Sequence, residues 1–383
     1  MRSIVFGGTI IAPGEALPGH ALIIEDGKVV QITAERPPAK PGDAWIDAQG
    51  KIVSPGFIDL HVHGGDGCDT MQAAPSALRR MARFYARHGV TAYLATTWSA
   101  SKESLIAAIR NVADCPQPED GARHLGVHVE GPYLNPAYCG AQPLEHIRLP
   151  DRAEYSAWAE SGVVRLVTVA PEMDGVLEFI QWGRQRGIEF AVGHSGATFE
   201  QVQQAVELGA RQATHTCNAM GAFNHRSPGT LGGVLADDRI TAQVIADGVH
   251  LHPAAVKVVV RAKTPDRTAL ITDAICGAGL PDGDYDLFGV RILVRGGEAR
   301  IPGGALAGSI LTMEAAVRNI AAFCGLSLHQ AIDMATRVPA EALGIFGEKG
   351  ALIPGADADF VLLDEQCTVS ATYIAGRLVY RAD

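Results

Sequence analysis

The sequence predicts an α/β protein: a (β/α)8, TIM-like barrel that carries a small β-sandwich domain built from both termini. Three observations predict it. Short apolar runs alternate with helical stretches through the middle of the chain. The polar residues of that region gather at the C-terminal ends of the runs, the end at which barrel active sites lie. Both chain ends have strand patterning without helices. With 383 residues the chain exceeds one small core. The expected boundaries are 1–54 and 346–383 for the two parts of the small domain, and 55–345 for the barrel.

Taken in order, apolar runs at 3–6, 21–25 and 28–32 are separated by turns, with Asp26-Gly27 as a hairpin signal. Pro37, Pro38 and Pro41 mark a loop. The expected barrel strands are 57–61, 91–96, 125–130, 163–169, 189–194, 212–215, 241–247 and 268–273. Between them, 76–88 places Leu78, Met81, Ala82 and Tyr85 on one helical face, and 101–112 does so with Leu105, Ile106 and Ile109. The helix at 199–208 has Val202, Ala205 and Val206, with Gly209 as its stop. The Gly- and Asp-rich stretch 277–289 has the composition of a mobile lid. An amphipathic helix follows at 309–323, and 357–364 and 372–380 return to strand character.

Apolar content of 47% with 19% charged residues fits a soluble globular protein. A net charge of −10 argues against nucleic acid and anionic membranes as partners. No apolar run approaches the ~18 residues of a membrane span. The opening residues, broken by Gly7-Gly8 and Pro13, lack a signal-peptide pattern. Seven cysteines without a Cys-x-x-Cys pair point to a reducing compartment, so the cytoplasm is the expected location.

The chemistry concentrates at the strand ends. His61 and His63 are two apart on the first barrel strand, which puts both imidazoles on one face, with Asp59 two residues earlier. A lone histidine is most often satisfied by backbone; a His-x-His pair at a strand end suits a divalent metal. Glu130, His194 and His215 come from three further strands and make a His2Glu set, which leaves a coordination position open for water. A metal there lowers the pKa of bound water to about 7 and polarises a carbonyl. His61 and His63 then either hold a second metal or line the site, and His128 belongs to the core or supports a ligand. Asp273 ends the eighth strand, where it can take a proton from water and pass it to a leaving amine. Thr96-Thr97, Glu172, Asp247 and His250 also fall at or just after strand ends. Zinc, iron, manganese and cobalt all accept this N/O ligand set.

The stretch Pro-Gly-Phe-Ile-Asp-Leu-His-Val-His-Gly at 55–64 resembles the opening metal motif of the amidohydrolase superfamily. Within it, His-Val-Glu-Gly-Pro-Tyr-Leu-Asn-Pro at 128–136 is similar to the N-acetylglucosamine-6-phosphate deacetylases. So are Gly193-His-Ser, His215-Thr-Cys-Asn-Ala-Met, Asn224-His-Arg-Ser-Pro-Gly, Asp247-Gly-Val-His, Leu270-Ile-Thr-Asp-Ala and Leu306-Ala-Gly-Ser, in the family's order. The resemblance implies hydrolysis of the acetamide of an N-acetyl-D-glucosamine 6-phosphate, with N-acetylgalactosamine 6-phosphate or another N-acetylated amino sugar as the alternative. It implies one or two divalent metals per subunit, with Glu130, His194 and His215 as main ligands and Asp273 as general acid/base. Asn218 and Ala219 match a stretch whose backbone holds the sugar phosphate. Arg226 and His250 match phosphate or sugar contacts, the arginine loop coming from the neighbouring subunit of a homodimer. Gln142 stands where some members have a carbonyl-polarising histidine, with His146 nearby as a weaker substitute. Cys217 and Cys276 read as small apolar fillers. Cyclic amidases of the superfamily bridge two metals with a carboxylated lysine on strand four; here no lysine lies between Lys102 and Lys257.

Overall fold

The computed structural model describes residues 1–287 and 290–382. Its centre is a sheet of eight parallel strands in chain order: Phe57–Val62, Val90–Thr97, Arg123–Glu130, Val164–Val169, Glu189–Val192, Gln212–Ala213, Thr241–Val244 and Thr268–Leu270. The ladder runs from the first strand to the eighth, and the segment after the eighth closes it. There the Asp273 N–H donates to the His61 carbonyl at 2.8 Å, and the His63 N–H to the Ala274 carbonyl at 2.8 Å. The Thr272 hydroxyl donates to Asp59 Oδ2 at 2.6 Å. Asp59 is therefore a buried clasp between the first strand and the last, and burial pushes its carboxyl up to about 7.

The predicted helices form at Pro75–Arg87, Lys102–Asp114, Phe199–Glu207 and Met313–Cys324. Thr198 and Gln201 cap the third of these reciprocally. Leu78, Met81, Ala82 and Tyr85 are buried, as their spacing requires. The last four barrel strands are shorter than the sequence suggests, ending at Val192, Ala213, Val244 and Leu270. For three of them the cause lies in the polar residues just beyond. His194, His215 and Asp273 have φ of 48°, 28° and 52°, a left-handed backbone that cannot continue a ladder. Each strand stops so that its last polar residue can turn into the barrel mouth.

Both termini contribute to one six-stranded sheet. Its order is Arg377–Arg381, Val369–Ile374, Phe360–Leu363, Ile52–Pro55, Thr9–Ala12, Glu15–Pro18. A four-stranded sheet of N-terminal strands packs against it through Val5, Leu22, Val53, Phe360 and Tyr373. Gly56 joins this sandwich to the barrel, and a Cβ there would run into the Thr91 side chain. The stretch expected as a lid behaves differently. Gly283–Leu287, Val290–Arg295 and Glu298–Arg300 form a three-stranded antiparallel sheet with Ile292 and Val294 buried, while 288–289 lie outside the described residues. Among the described residues no helix is long and apolar enough to cross a membrane.

Lys349 anchors the return to the C-terminal strands. Its buried Nζ lies 2.6 Å from Asp357 Oδ2 and 2.7 Å from Asp359 Oδ2. Burial opposes the ammonium charge, but the two carboxylates outweigh it and raise the pKa. Lys349→Met is expected to destabilise the protein by about 3 kcal/mol, because the buried Asp359 loses its cation. An unchanged thermal midpoint would contradict this.

Candidate metal centre and active site

Six titratable side chains converge at the C-terminal mouth of the barrel. They form two groups, His61 with His63 and Asp273, and Glu130 with His194 and His215. Within each group the ligand atoms lie within 4.8 Å of one another, and all six residues are buried. Glu130 joins the groups. Its Oε1 is 3.0 Å from His215 Nε2, 3.2 Å from His194 Nε2 and 3.5 Å from His61 Nε2, and its Oε2 is 3.2 Å from His63 Nε2. Asp273 Oδ1 lies 3.4 Å from His61 Nε2 and 3.3 Å from His63 Nε2. Burial opposes the charge on both carboxylates. The facing imidazoles outweigh it, so Glu130 and Asp273 fall below the ordinary carboxylate range.

These residues fit a divalent cation. The Nε2 atoms of His61 and His63 face each other at 3.2 Å, and those of His194 and His215 at 3.1 Å. Lone pairs brought that close repel unless a proton or a cation lies among them, and two carboxylates supply the compensating charge. His194 Nδ1 lies 2.9 Å from the Tyr138 carbonyl, the contact that holds its proton there and frees Nε2 to ligate. The same logic places His128 behind the ligands. Its Nδ1 faces the Leu60 carbonyl at 3.1 Å and its Nε2 the Thr168 hydroxyl at 2.7 Å, so both nitrogens are taken. Its ring meets the His61 ring edge-on at 4.6 Å.

A cavity of about 200 Å³ opens over this cluster, with Asn218, Ala219, His250, Gln142 and Leu306 in its wall. Gln142 is clamped: its Oε1 accepts the Ser99 N–H at 2.7 Å and its Nε2 donates to Glu130 Oε2 at 2.7 Å. Asn218 Nδ2 donates to the His215 carbonyl at 3.1 Å. Cys217 and Ala219, at φ of 80° and 50°, continue the run of left-handed residues around the site. His250 Nδ1 lies 2.7 Å from Asp247 Oδ2. Burial works against its charge, but Asp247 outweighs it and raises the pKa. Arg226 is not brought to this cavity; it is exposed on the 222–227 loop. His146 lies outside the cavity wall too. Burial pushes the Cys217 thiol to about 11 and that of Cys276 to about 12, which keeps both protonated.

One contribution was absent from the sequence reading. Trp98 lines the cavity with its ring 4.8 Å from that of His63. It follows Thr96-Thr97 at a strand end, where the rule that found Glu130 also applies. Glu172 ties the rim together, accepting from Asn135 Nδ2 at 2.8 Å, the Ser195 hydroxyl at 2.7 Å and the Gly196 N–H at 2.6 Å.

Histidine pairs and a carboxylate at the mouth of a (β/α)8 barrel, with an aspartate facing them, define a metal-dependent hydrolase. The amidohydrolase family model matches residues 52–379, and the chain belongs to that family. It is 40% identical over 358 residues to an N-acetylglucosamine-6-phosphate deacetylase of Lysinibacillus sphaericus, covering 93% of this chain and 92% of the relative. It is 39% identical over 365 residues to an N-acetylgalactosamine-6-phosphate deacetylase of Escherichia coli O157:H7, covering 94% and 95%. Among solved structures, a mutant N-acetyl-D-glucosamine-6-phosphate deacetylase from Mycobacterium smegmatis, in complex with N-acetyl-D-glucosamine-6-phosphate, superposes with a TM-score of 0.90 at 34% identity, covering 99% of each chain.

Proposed function

We propose that this chain hydrolyses the N-acetyl group of N-acetyl-D-glucosamine 6-phosphate, giving glucosamine 6-phosphate and acetate. The observation that carries the reading is the contact of Asp273 Oδ1 with both His61 and His63, opposite Glu130, in a family whose relatives are deacetylases along almost the whole chain. His61, His63, Glu130, His194, His215 and Asp273 would hold a divalent cation, zinc, iron, manganese or cobalt, which would supply activation of water and polarisation of the acyl oxygen. The chain's own residues do the rest. Asp273, ionised at neutral pH, accepts a proton from the attacking water and returns it to the amine nitrogen as the C–N bond breaks. Gln142 holds Glu130 with one amide N–H and has a second for the acyl oxygen. Asn218, the Ala219 backbone and His250 bind the sugar and its phosphate. Arg226, exposed on its own subunit, reaches the phosphate in the neighbouring site of a homodimer. The enzyme works in the cytoplasm. A second reading, hydrolysis of the galactosamine epimer, is favoured by the Escherichia coli relative.

The deciding experiment is acetate release from N-acetylglucosamine 6-phosphate before and after chelation and metal add-back. The epimer and the unphosphorylated sugar run alongside. Turnover that disappears on chelation, returns with metal and is weak without phosphate is the expected result. Metal-loaded protein inactive on all three would overturn it. Arg226→Ala is expected to raise KM for the phosphorylated sugar by roughly ten- to a hundredfold with little change in kcat, the weight of a hydrogen bond to a charged group. An unchanged KM would remove Arg226 from the site.

A further inference from the structure

We propose that Trp98 sets the length of acyl chain this site accepts: its side chain is the partition between the cavity over the metal groups and a second cavity behind it, and it holds the acyl pocket to the size of an acetyl group. The inference rests on the deacetylase reading above and adds to it the residue that limits the acyl group.

The direction of the acyl group follows from the order of the strands. The contacts proposed for the sugar and its phosphate, Asn218, Ala219 and His250, come after the sixth and seventh barrel strands. Trp98 and Gln142 come after the second and third. In a ring of eight strands these two pairs stand on opposite sides of the mouth. The metal groups lie between them, with Glu130 reaching across to His194 and His215. A substrate held by its sugar at the sixth and seventh strands, with its amide over the metal groups, points its acyl chain at the second and third. Trp98 stands there, its ring 4.8 Å from that of His63. The next residue, Ser99, donates its N–H to Gln142, the amide assigned to the acyl oxygen, at 2.7 Å.

Behind the ring lies free space. A cavity of about 470 Å³ is walled there by Met71, Ala73, Ala100, Pro143 and Val290, against about 200 Å³ for the cavity over the metal groups. Exposed Ser104 and Glu145 mark where it opens to solvent. Apolar walls with a polar mouth suit an alkyl chain. Among the described residues Trp98 alone belongs to the walls of both cavities, and it is 7% exposed.

Core packing alone does not account for a tryptophan in this place. A packed interior leaves few voids larger than a water molecule, and a residue whose work is only to fill space does not stand between two of them. An acetyl methyl needs no more than a wall. Each further methylene has to enter the space that the indole fills, and one methylene is enough for ~10–200-fold discrimination.

The test uses the full metal-loaded chain as wild type, Trp98→Ala and Trp98→Leu, with thermal midpoint and metal content recorded for each. Leucine keeps part of the packing and carries the test where the alanine variant does not fold. kcat/KM is measured on the N-acetyl, N-propionyl and N-butyryl derivatives of glucosamine 6-phosphate. In the wild type it should fall at least ~tenfold for each added methylene. In the variants the butyryl-to-acetyl ratio should rise ~10–100-fold over the wild type. Lost packing lowers turnover of all three substrates alike and leaves that ratio unmoved. A second readout needs no turnover. Acetohydroxamic and butyrohydroxamic acids chelate a divalent metal through two oxygens and carry the same alkyl groups, and the visible spectrum of the cobalt-loaded protein follows their binding. A methylene that enters an apolar cavity adds about fourfold in affinity, so the longer acid should bind ~tenfold tighter than the shorter in the variants and more weakly in the wild type. Variants that keep the wild-type ratios in both assays at native metal content overturn the proposal, as does a wild type that takes the butyryl group as well as the acetyl. A wild type that hydrolyses none of the three sugars overturns the deacetylase reading instead, and the hydroxamates then decide the role of Trp98.

Discussion

Asp273→Asn is expected to lower kcat by about a thousandfold, in the middle of the ~10²–10⁴ range of general acid–base catalysis, with KM little changed. The substitution is close to isosteric, and asparagine tolerates the φ of 52° that this position needs, so the turn that closes the barrel should survive. What is lost is an anionic oxygen that can accept a proton. Asp273 stands beside His61 and His63 and apart from the His2Glu group, so cation at Glu130, His194 and His215 should remain. The fall in rate should therefore appear in protein whose metal content has dropped by no more than one group's share. The sign of the pKa shift adds a second check. Burial alone would raise this carboxyl; the two imidazoles outweigh burial and lower it. In the metal-free protein the base form is then already present in mild acid, and a titration of that protein should find Asp273 ionised at a pH where an unassisted buried carboxylate would have protonated. Near-native turnover of Asp273→Asn would falsify the assignment of Asp273 as the proton carrier.

Most of this site was readable because barrel geometry converts strand ends into one ring. A histidine or carboxylate just after an apolar run therefore says where it will be as well as what it is. Glu130, His194, His215 and Asp273 were found this way from four separate strands. The same rule overran the strands. His194 and His215 were read as their last residues, whereas a left-handed backbone turns each of them off the ladder. Residue type gives only a weak sign of that turn: histidine and aspartate are enriched at positive φ but are not reserved for it in the way glycine is. Trp98 was missed for the opposite reason: an aromatic residue after a strand reads as core, and here it is both core and wall. The clamp from Ser99 through Gln142 to Glu130 is tertiary, joining the ends of the second and third barrel strands at spacings without periodicity. At 277–289 the glycines and aspartates suggested a lid, but just beyond them alternating Val290, Ile292 and Val294 carried a strand pattern with two buried positions. Arg226 shows the remaining limit, because its expected target belongs to another copy of the chain.

Glu130→Gln should be the most damaging single substitution, emptying both metal groups together. Glu130 is the only carboxylate of the His2Glu set, and its two oxygens divide between the groups: Oε1 toward His194, His215 and His61, Oε2 toward His63. Glutamine keeps the shape and loses the charge. Its amide nitrogen must then face either an Nε2 lone pair or the Gln142 Nε2, which now donates to Glu130 at 2.7 Å and would meet a donor. Metal affinity should fall by more than the ~10–100-fold typical of residues that merely orient ligands. Turnover should be undetectable at metal concentrations that saturate the wild type. His194→Asn provides the contrast, because it removes one ligand from one group and leaves the Glu130 charge in place. If Glu130 bridges the two groups, Glu130→Gln loses all bound metal on dialysis while His194→Asn keeps the share held by His61, His63 and Asp273. If instead Glu130→Gln retains that share, the carboxylate serves the His2Glu group alone and its 3.2 Å approach to His63 is only a packing contact.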